Sequence, residues 1–312
     1  MARHGDRAFA MLLLFGGLLV LLILGAMVFR TVADAIPVFE YQGFFSFVFG
    51  TEWRAGFSRS EFTGTYGAWP FVFGTLFTSA IAVGLALPMA LAVSLFINFY
   101  APRRLRVPLS YSVEVLAAVP SVVFGLWGLL WFVPTVLHPA TRWVSATFGD
   151  AIPFLAGPVP NVNYFHAGFV LAIMILPIIT ALSREIVATT PRDEIDAAYG
   201  LGATKWEMLR GVVLPRSFSG VVGATMLGLG RALGETIAVL MLVGGSQRFG
   251  ATLFFPGDTL ASHIAATFQD AAPETLVALM GVGVVLFLVT MIVNVLARLI
   301  VFRFGRPGGE AL

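Results

Sequence analysis

The chain has 312 residues, of which 58% are hydrophobic and 12% charged, with a formal net charge of +2. A soluble domain carries about 25% charged residues, so this balance excludes an ordinary water-soluble enzyme and indicates an integral membrane protein. No cysteine is present, which removes disulfides, thiol catalysis and thiolate metal sites and leaves the compartment open.

Six apolar segments are long enough to cross a hydrocarbon core of about 30 Å. They run over residues Phe9–Phe29, Phe71–Asn98, Val113–Val133, Ala167–Ser183, Phe218–Val243 and Leu276–Val301. In lipid the backbone must satisfy its own polar groups, so each is expected to be a helix. The first follows Arg3 and Arg7 and precedes Ala33-Asp34-Ala35, a pattern that resembles a signal peptide. Its apolar core exceeds the roughly 7–15 residues of a cleaved signal, and it is read as an uncleaved span. Pro88, Pro120 and Pro177 fall inside spans two, three and four and predict kinks.

Arginine placement predicts orientation. With the N-terminus inside, thirteen Lys/Arg fall on the cytoplasmic side and five (Arg30, Arg54, Arg59, Arg142, Arg248) outside, with Arg231 left within a span. Three external stretches follow. Thr31–Pro70 is rich in aromatics, and Pro37–Gly50 is read either as an interfacial helix on the outer leaflet or as a packed lid over the bundle. Pro134–His166 is proline-rich, with a short helix expected near Thr141–Phe148; Gly244–Pro273 is the third. The chain divides into 1–65 (first span and external amphipathic region), 66–301 (main transmembrane domain with a cytoplasmic loop at 184–216) and a tail at 302–312. No internal repeat is evident, which counts against an inverted-repeat transporter.

The longest charged, amphipathic passage is Asp196–Pro215. Its pattern predicts helix, glycine break, helix. Thr190 is placed to cap the first helix and Pro191 to occupy its first position, with Asp193 and Glu194 favourable to the helix dipole. Gly200 and Gly202 are placed to end it. Thr204 and Glu207 have capping-box spacing for the second helix, and Pro215 is expected to end that helix and to hold Leu214 out of helical geometry. A DNA-reading helix-turn-helix shares this pattern. The flanking spans and weakly basic composition argue against it, and no nucleic-acid partner is expected.

Ionisable groups inside a membrane are functional suspects. Arg231 and Glu235 stand in Gly-Leu-Gly-Arg-Ala-Leu-Gly-Glu-Thr, four residues apart and so on one face of span five, followed by Thr236. Either they neutralise each other in a helix interface, or they line a path on which the guanidinium meets an anion; a planar, permanently charged fork suits phosphate oxygens. Gly228, Gly230 and Gly234 would admit another helix closely. Glu114 stands at the expected start of span three, before Pro120-Ser121; it reads as a helix-start carboxylate, or as a gate contact or partner of an arginine. His4, His138, His166 and His263 lack metal-ligand spacing. No Gly-rich Lys-Ser/Thr loop for nucleotide phosphates is present, and no nucleophile–base pair stands out, so energy must come from a partner or an ion gradient.

Asp196-Ala197-Ala198, three residues, Gly202 and then Leu214-Pro215 resemble the Glu-Ala-Ala coupling loop of ABC-importer permeases, with Asp in place of the first Glu. Tyr66–Ser79, Glu114–Gly128, Pro177 with Arg184-Glu185 and Thr190-Pro191, and Arg231–Val239 together resemble the PstC-type permeases of the phosphate-specific ABC transporter. The sister PstA type typically lacks the Arg-Ala-Leu-Gly-Glu-Thr run. The resemblance implies an all-α, six-span type I importer permease with both termini cytoplasmic. It implies a second, PstA-like permease, two PstB-like ATPase subunits holding ATP and magnesium, and a PstS-like phosphate-binding protein, with no cofactor on this chain. It implies that Asp196, Ala197, Ala198, Gly202, Trp206, Leu214 and Pro215 dock on the ATPase. Arg231, Glu235 and Thr236 would line the substrate path, with Glu114, Pro120 and Ser121 at a gate. Permeases for phosphonate, sulfate or molybdate, and an ion-coupled secondary transporter, are the alternatives.

Overall fold

The computed structural model describes residues 2–56, 62–250 and 252–304. Arg59, Arg306 and most of the expected tail lie outside them. Among the described residues six helices are long and apolar enough to cross a membrane, over Phe9–Gln42, Trp69–Tyr100, Ser121–Phe148, Tyr164–Ala188, Lys205–Leu233 and Pro273–Arg303.

The first helix, α1 (Ala2–Gln42), runs straight through Pro37. Gly43, at φ 83°, turns the chain into the short α2 (Phe44–Phe49). The expected separate interfacial helix over Pro37–Gly50 is therefore not formed; Phe47 and, in part, Phe39 pack inward as a lid, while Tyr41, Phe44, Phe45 and Phe49 stay exposed. Val38 and Phe47 are buried with Trp53, Tyr66, Phe71 and Leu279. Phe39 meets Phe44 and Phe47 edge-on, both at 5.3 Å between ring centres. A side chain at Gly281 would meet Phe47 at 2.8 Å, so its absence seats the ring. The hairpin of β1 (Trp53–Arg54) and β2 (Thr65–Tyr66) completes the lid. Glu274 fastens it to the last helix by accepting hydrogen bonds from the Thr63 N–H and hydroxyl at 2.8 and 3.0 Å.

Span two is α3 (Trp69–Leu95), continued by a π-helical turn at Phe96–Tyr100. Next comes α4 (Arg103–Ala117), which buries none of its residues. Pro120 then breaks the chain instead of kinking it. It disfavours helical geometry at Val119, and α5 (Ser121–Trp127) starts afresh. Span three accordingly begins at Ser121, not Val113, and Glu114 belongs to the preceding helix. It continues without interruption through a π-helical stretch, Gly128–Leu137, into α6 (His138–Phe148). Pro134 sits inside that stretch, where the regular hydrogen-bond ladder is already interrupted and a missing donor costs little. The helix expected at Thr141–Phe148 is the end of this span.

The centre of the molecule is α7 (Tyr164–Ala188), the most buried of the spans. Small residues let its neighbours close on it. Ala82, Ala86 and Ala90 of α3 pack in one cluster with Val170, Leu171, Met174, Ile175 and Ile179 of α7. A side chain at Gly168 would meet Ile81 at 2.8 Å, and one at Gly228 would meet Ile179 at 2.6 Å. After α7 come α8 (Arg192–Gly200) and α9 (Lys205–Met208), which passes through a π-helical turn at Leu209–Val213 into α10 (Leu214–Leu233). A break separates α10 from α11 (Ile237–Val243). Finally α12 (Leu260–Thr267) leads to α13 (Pro273–Phe304). By alternation of the six spans, the junctions at 101–120 and 189–204 and the end of α13 share one end of the bundle.

Candidate functional site

The junction between α8 and α9 carries the predicted pattern, with corrections at both ends. Thr190 does not cap α8. Its hydroxyl donates to the Val187 carbonyl and closes α7, while Pro191, in extended geometry, occupies the position before α8 without a capping side-chain hydrogen bond. The glycine break is as expected. α8 ends at Gly200, and Gly202 takes φ 79° so that the Ala203 N–H reaches the Ala198 carbonyl at 3.1 Å. That 6→1 closure needs a left-handed residue, which glycine adopts without strain. The capping box is formed: the Glu207 N–H donates to the Thr204 hydroxyl at 3.4 Å, and the Thr204 N–H donates to Glu207 Oε2 at 2.8 Å.

Pro215 does not end the second helix, and Leu214 is helical. The π-helical turn at Leu209–Val213 precedes them, so the proline falls where the ladder has been widened and its absent N–H leaves no gap in a regular turn. The consequence is mechanical. α9, the π turn and α10 form one unbroken helical segment, Lys205–Leu233, so Trp206 and span five belong to the same rod.

The loop is held to the bundle by contacts that no local pattern singles out. Arg216 at the base of α10 pairs with Glu194 of α8 at 3.2 Å. The Lys205 ammonium donates to the Phe99 carbonyl and lies 4.0 Å from the centre of the Tyr100 ring, at the end of span two. Met208, Leu209 and Val213 are buried with Val187, and Ile195, Ala198, Leu95 and Phe99 pack against them. Asp196 and Ala197 are exposed, and α8 buries no residue. Leu201 is 90% exposed and Trp206 60% exposed, with Tyr199 exposed beside them. Three large apolar side chains on a polar, charged segment are a signal that the sequence carries, and of the three only Trp206 is among the expected docking residues. Exposed apolar side chains clustered on a capped hairpin are the kind of surface that contacts with other proteins use.

Glu114 is near the C-terminal end of α4, so the helix-start reading fails. It is instead the partner of an arginine: Arg184 Nη2 lies 3.0 Å from its Oε1. The Arg184 carbonyl also accepts from Asn98 Nδ2 at 2.9 Å, which ties span two to α7 at the same level. Pro120 is exposed and Ser121 half-buried at the α4–α5 break.

In span five the structure separates Arg231 from Glu235. The helix stops at Leu233, so the two residues do not share a helical face. Glu235 is 9% exposed, and its Oε1 accepts from the Ala238 N–H at 3.3 Å. Thr236 starts α11, and its hydroxyl donates to the Gly234 carbonyl at 3.2 Å. Arg231 is exposed, and among the described residues it makes no ion pair. Of the three glycines, Gly228 receives α7, whereas a side chain at Gly230 would meet nothing within 4 Å. Gly230 and Arg231 thus lie together on a face of α10 that none of the described residues covers.

The model of the family described as binding-protein-dependent transport system inner membrane component matches residues 82–306, which includes the α8–α9 junction and both halves of span five. The chain belongs to that family. Within it the chain is a PstC-type permease. It is 38% identical over 299 residues, 95% of this chain and 91% of the relative, to the phosphate transport system permease protein PstC of Pasteurella multocida. It is 40% identical over 269 residues to PstC of Xylella fastidiosa, covering 85% of this chain and 81% of the relative. It is 46% identical over 231 residues to PstC 2 of Mycobacterium tuberculosis, covering 72% of this chain and 71% of the relative. Among solved structures, an inward-facing form of the MetNI methionine ABC transporter superposes with a TM-score of 0.54 at 20% identity, over 77% of this chain and 95% of that one. That likeness establishes the type I importer permease fold.

Proposed function

We propose that this chain is the membrane-spanning permease subunit of an ATP-driven importer of inorganic phosphate. The observation that carries the reading is Arg231, an exposed guanidinium within a span that has no ion-pair partner among the described residues. A lone cation at that depth is costly unless its task is to meet an anion or a group on a partner subunit. Phosphate is the anion named for the PstC relatives, and a guanidinium fork matches its oxygens.

The N- and C-termini, Arg103–Arg106 and the α8–α9 hairpin face the cytoplasm in this reading, in a bacterial or archaeal cytoplasmic membrane. Leu201, Trp206 and Asp196 present the hairpin to a PstB-like ATPase, which binds ATP and magnesium. A PstA-like permease covers the glycine and arginine face of α10, and a PstS-like protein delivers phosphate to the opposite end. Closure of the ATPase dimer displaces the hairpin. Because α9 and α10 are one rod, the displacement reaches Arg231 without passing through a hinge. Two access states need differ by only a few kcal/mol for ATP and the loaded binding protein to bias them.

The test is uptake of labelled phosphate by liposomes holding this chain with its second permease and ATPase, supplied with binding protein. Uptake should require ATP on the ATPase side, resist a protonophore, and be competed by unlabelled phosphate but not by sulfate, molybdate or a phosphonate. Uptake that persists without the ATPase would overturn the energy source. Competition by another oxyanion would overturn the cargo.

A further inference from the structure

We infer that Glu235 is a positioning residue: its carboxylate holds the break in span five open and so presents Arg231, instead of serving as that arginine's counter-ion. The inference rests on the reading of Arg231 as the anion contact.

Breaking a helix inside a membrane strands backbone donors on one side of the gap and acceptors on the other, with little water to satisfy them. The gap here is closed by two consecutive side chains. Glu235 Oε1 takes the Ala238 N–H of α11, and the Thr236 hydroxyl gives its proton to the Gly234 carbonyl at the end of α10. Backbone closures complete the seam: the Gly234 N–H reaches the Gly230 carbonyl and the Glu235 N–H the Ala232 carbonyl, both at 3.3 Å. An acceptor is needed at one position and a donor at the next, and Glu-Thr supplies them in that order. A carboxylate at the start of α11 is also favoured by that helix's dipole.

The second observation is what the break does to Arg231. In an unbroken helix a residue four positions on would lie against it and quench its charge. Here Glu235 is turned inward and buried, and Arg231 remains on the open face beside Gly230. The same carboxylate therefore secures the break and stays away from the guanidinium.

The experiment compares phosphate uptake by the complete transporter with Glu235→Gln, Glu235→Ala, Arg231→Gln and the exchange Arg231→Glu/Glu235→Arg. Gln keeps an Oε1 acceptor and loses the charge. Capping predicts that Glu235→Gln retains at least half of the uptake rate, that Glu235→Ala loses tenfold or more, and that the exchange recovers nothing. An ion-pair role predicts that Gln is as damaging as Ala and that the exchange recovers uptake, and either result would overturn the inference. If Arg231→Gln transports normally, the anion-contact reading fails, and the Gln-against-Ala contrast still decides the cap. Because the chain has no native cysteine, thiol label found on this subunit of an R231C transporter, resolved from its partners on a gel, reports that position alone. Its labelling rate should be unchanged by Glu235→Gln and altered severalfold by Glu235→Ala in assembled transporter. Equal rates in all three would overturn the inference even if the Ala variant is inactive.

Discussion

Arg184 Nη2 lies 3.0 Å from Glu114 Oε1, and this pair links the exposed helix α4 to the buried helix α7. The partners are 70 residues apart in sequence. α4 buries no side chain fully, and only a few of its residues, such as Leu109, Val113 and Ala117, are half-buried, so the ion pair is a prominent part of what holds it. Arg184 is only 16% exposed and keeps its backbone carbonyl on Asn98, which leaves the guanidinium few alternative positions.

That geometry makes the pair testable by a double-mutant cycle. Glu114→Ala and Arg184→Ala should each lower the thermal stability of the purified permease complex, and the double variant should cost less than their sum. The coupling should be about 0.5–1 kcal/mol, the upper part of the range for partly exposed pairs, because Glu114 remains half exposed. It should shrink at high salt. Strict additivity would mean that α4 is held by something else.

Gly202 holds φ 79° in open space, and a Cβ there would meet nothing within 4 Å. Any penalty for substitution is therefore conformational and not steric. Gly202→Val should cost about 1–3 kcal/mol locally and misdirect α9, so ATP-dependent phosphate uptake should fall tenfold or more while membrane insertion persists. Gly202→Asn should retain most uptake, since Asn tolerates the left-handed region. Full uptake with Val would show that the turn geometry is irrelevant to coupling.

Span five approaches α7 closely at Gly228, where an added methyl would stand 2.6 Å from Ile179 Cγ1. Gly228→Ala should destabilise the permease by about 1–3 kcal/mol through overpacking. Ile179→Ala alone should also destabilise, by about 2–5 kcal/mol, through a cavity. Combined, each change makes room for the other, and the double variant should be more stable than Ile179→Ala. Thermal unfolding of the purified complex reads all three. Loss greater than the sum would disprove the packing relationship.

What could be read in advance divides along physical lines. The number of spans was legible because hydropathy integrates over about 20 residues and does not depend on detail. The capping box at Thr204 and the turn at Gly202 were legible because both are local. Helix ends were misplaced wherever a proline was taken as a terminator. Pro215 and Pro134 sit in or beside π-helical turns that absorb the missing donor, and nothing in their immediate sequence announces those turns. Pro120 behaved in the opposite way and split a span into α4 and α5. The i, i+4 spacing of Arg231 and Glu235 puts both on one face only in an unbroken helix, and the break between Leu233 and Ile237 removes the ion-pair alternative and leaves the path-lining one. The partner of Glu114 depended on a contact between distant segments, which no local pattern encodes.

The exposed tip of the α8–α9 hairpin supplies the most direct test of docking. Trp206 and Leu201 contribute little to the permease itself, since most of each side chain is in solvent. Trp206→Ala and Leu201→Ser should therefore change its stability to unfolding by no more than about 0.5 kcal/mol, the range expected of surface changes. If the pair forms the core of the contact with the ATPase, each change should weaken association about tenfold or more, because large apolar anchors dominate such interfaces. Co-purification of the ATPase under increasing detergent or salt measures this directly. Lys205→Ala provides the contrast. Its ammonium reaches inward, to the Phe99 carbonyl and the Tyr100 ring, so its removal should loosen α9 from span two. ATPase binding should be retained while each hydrolysis cycle moves less phosphate. A Trp206 variant that binds the ATPase normally would place the docking surface elsewhere on the permease.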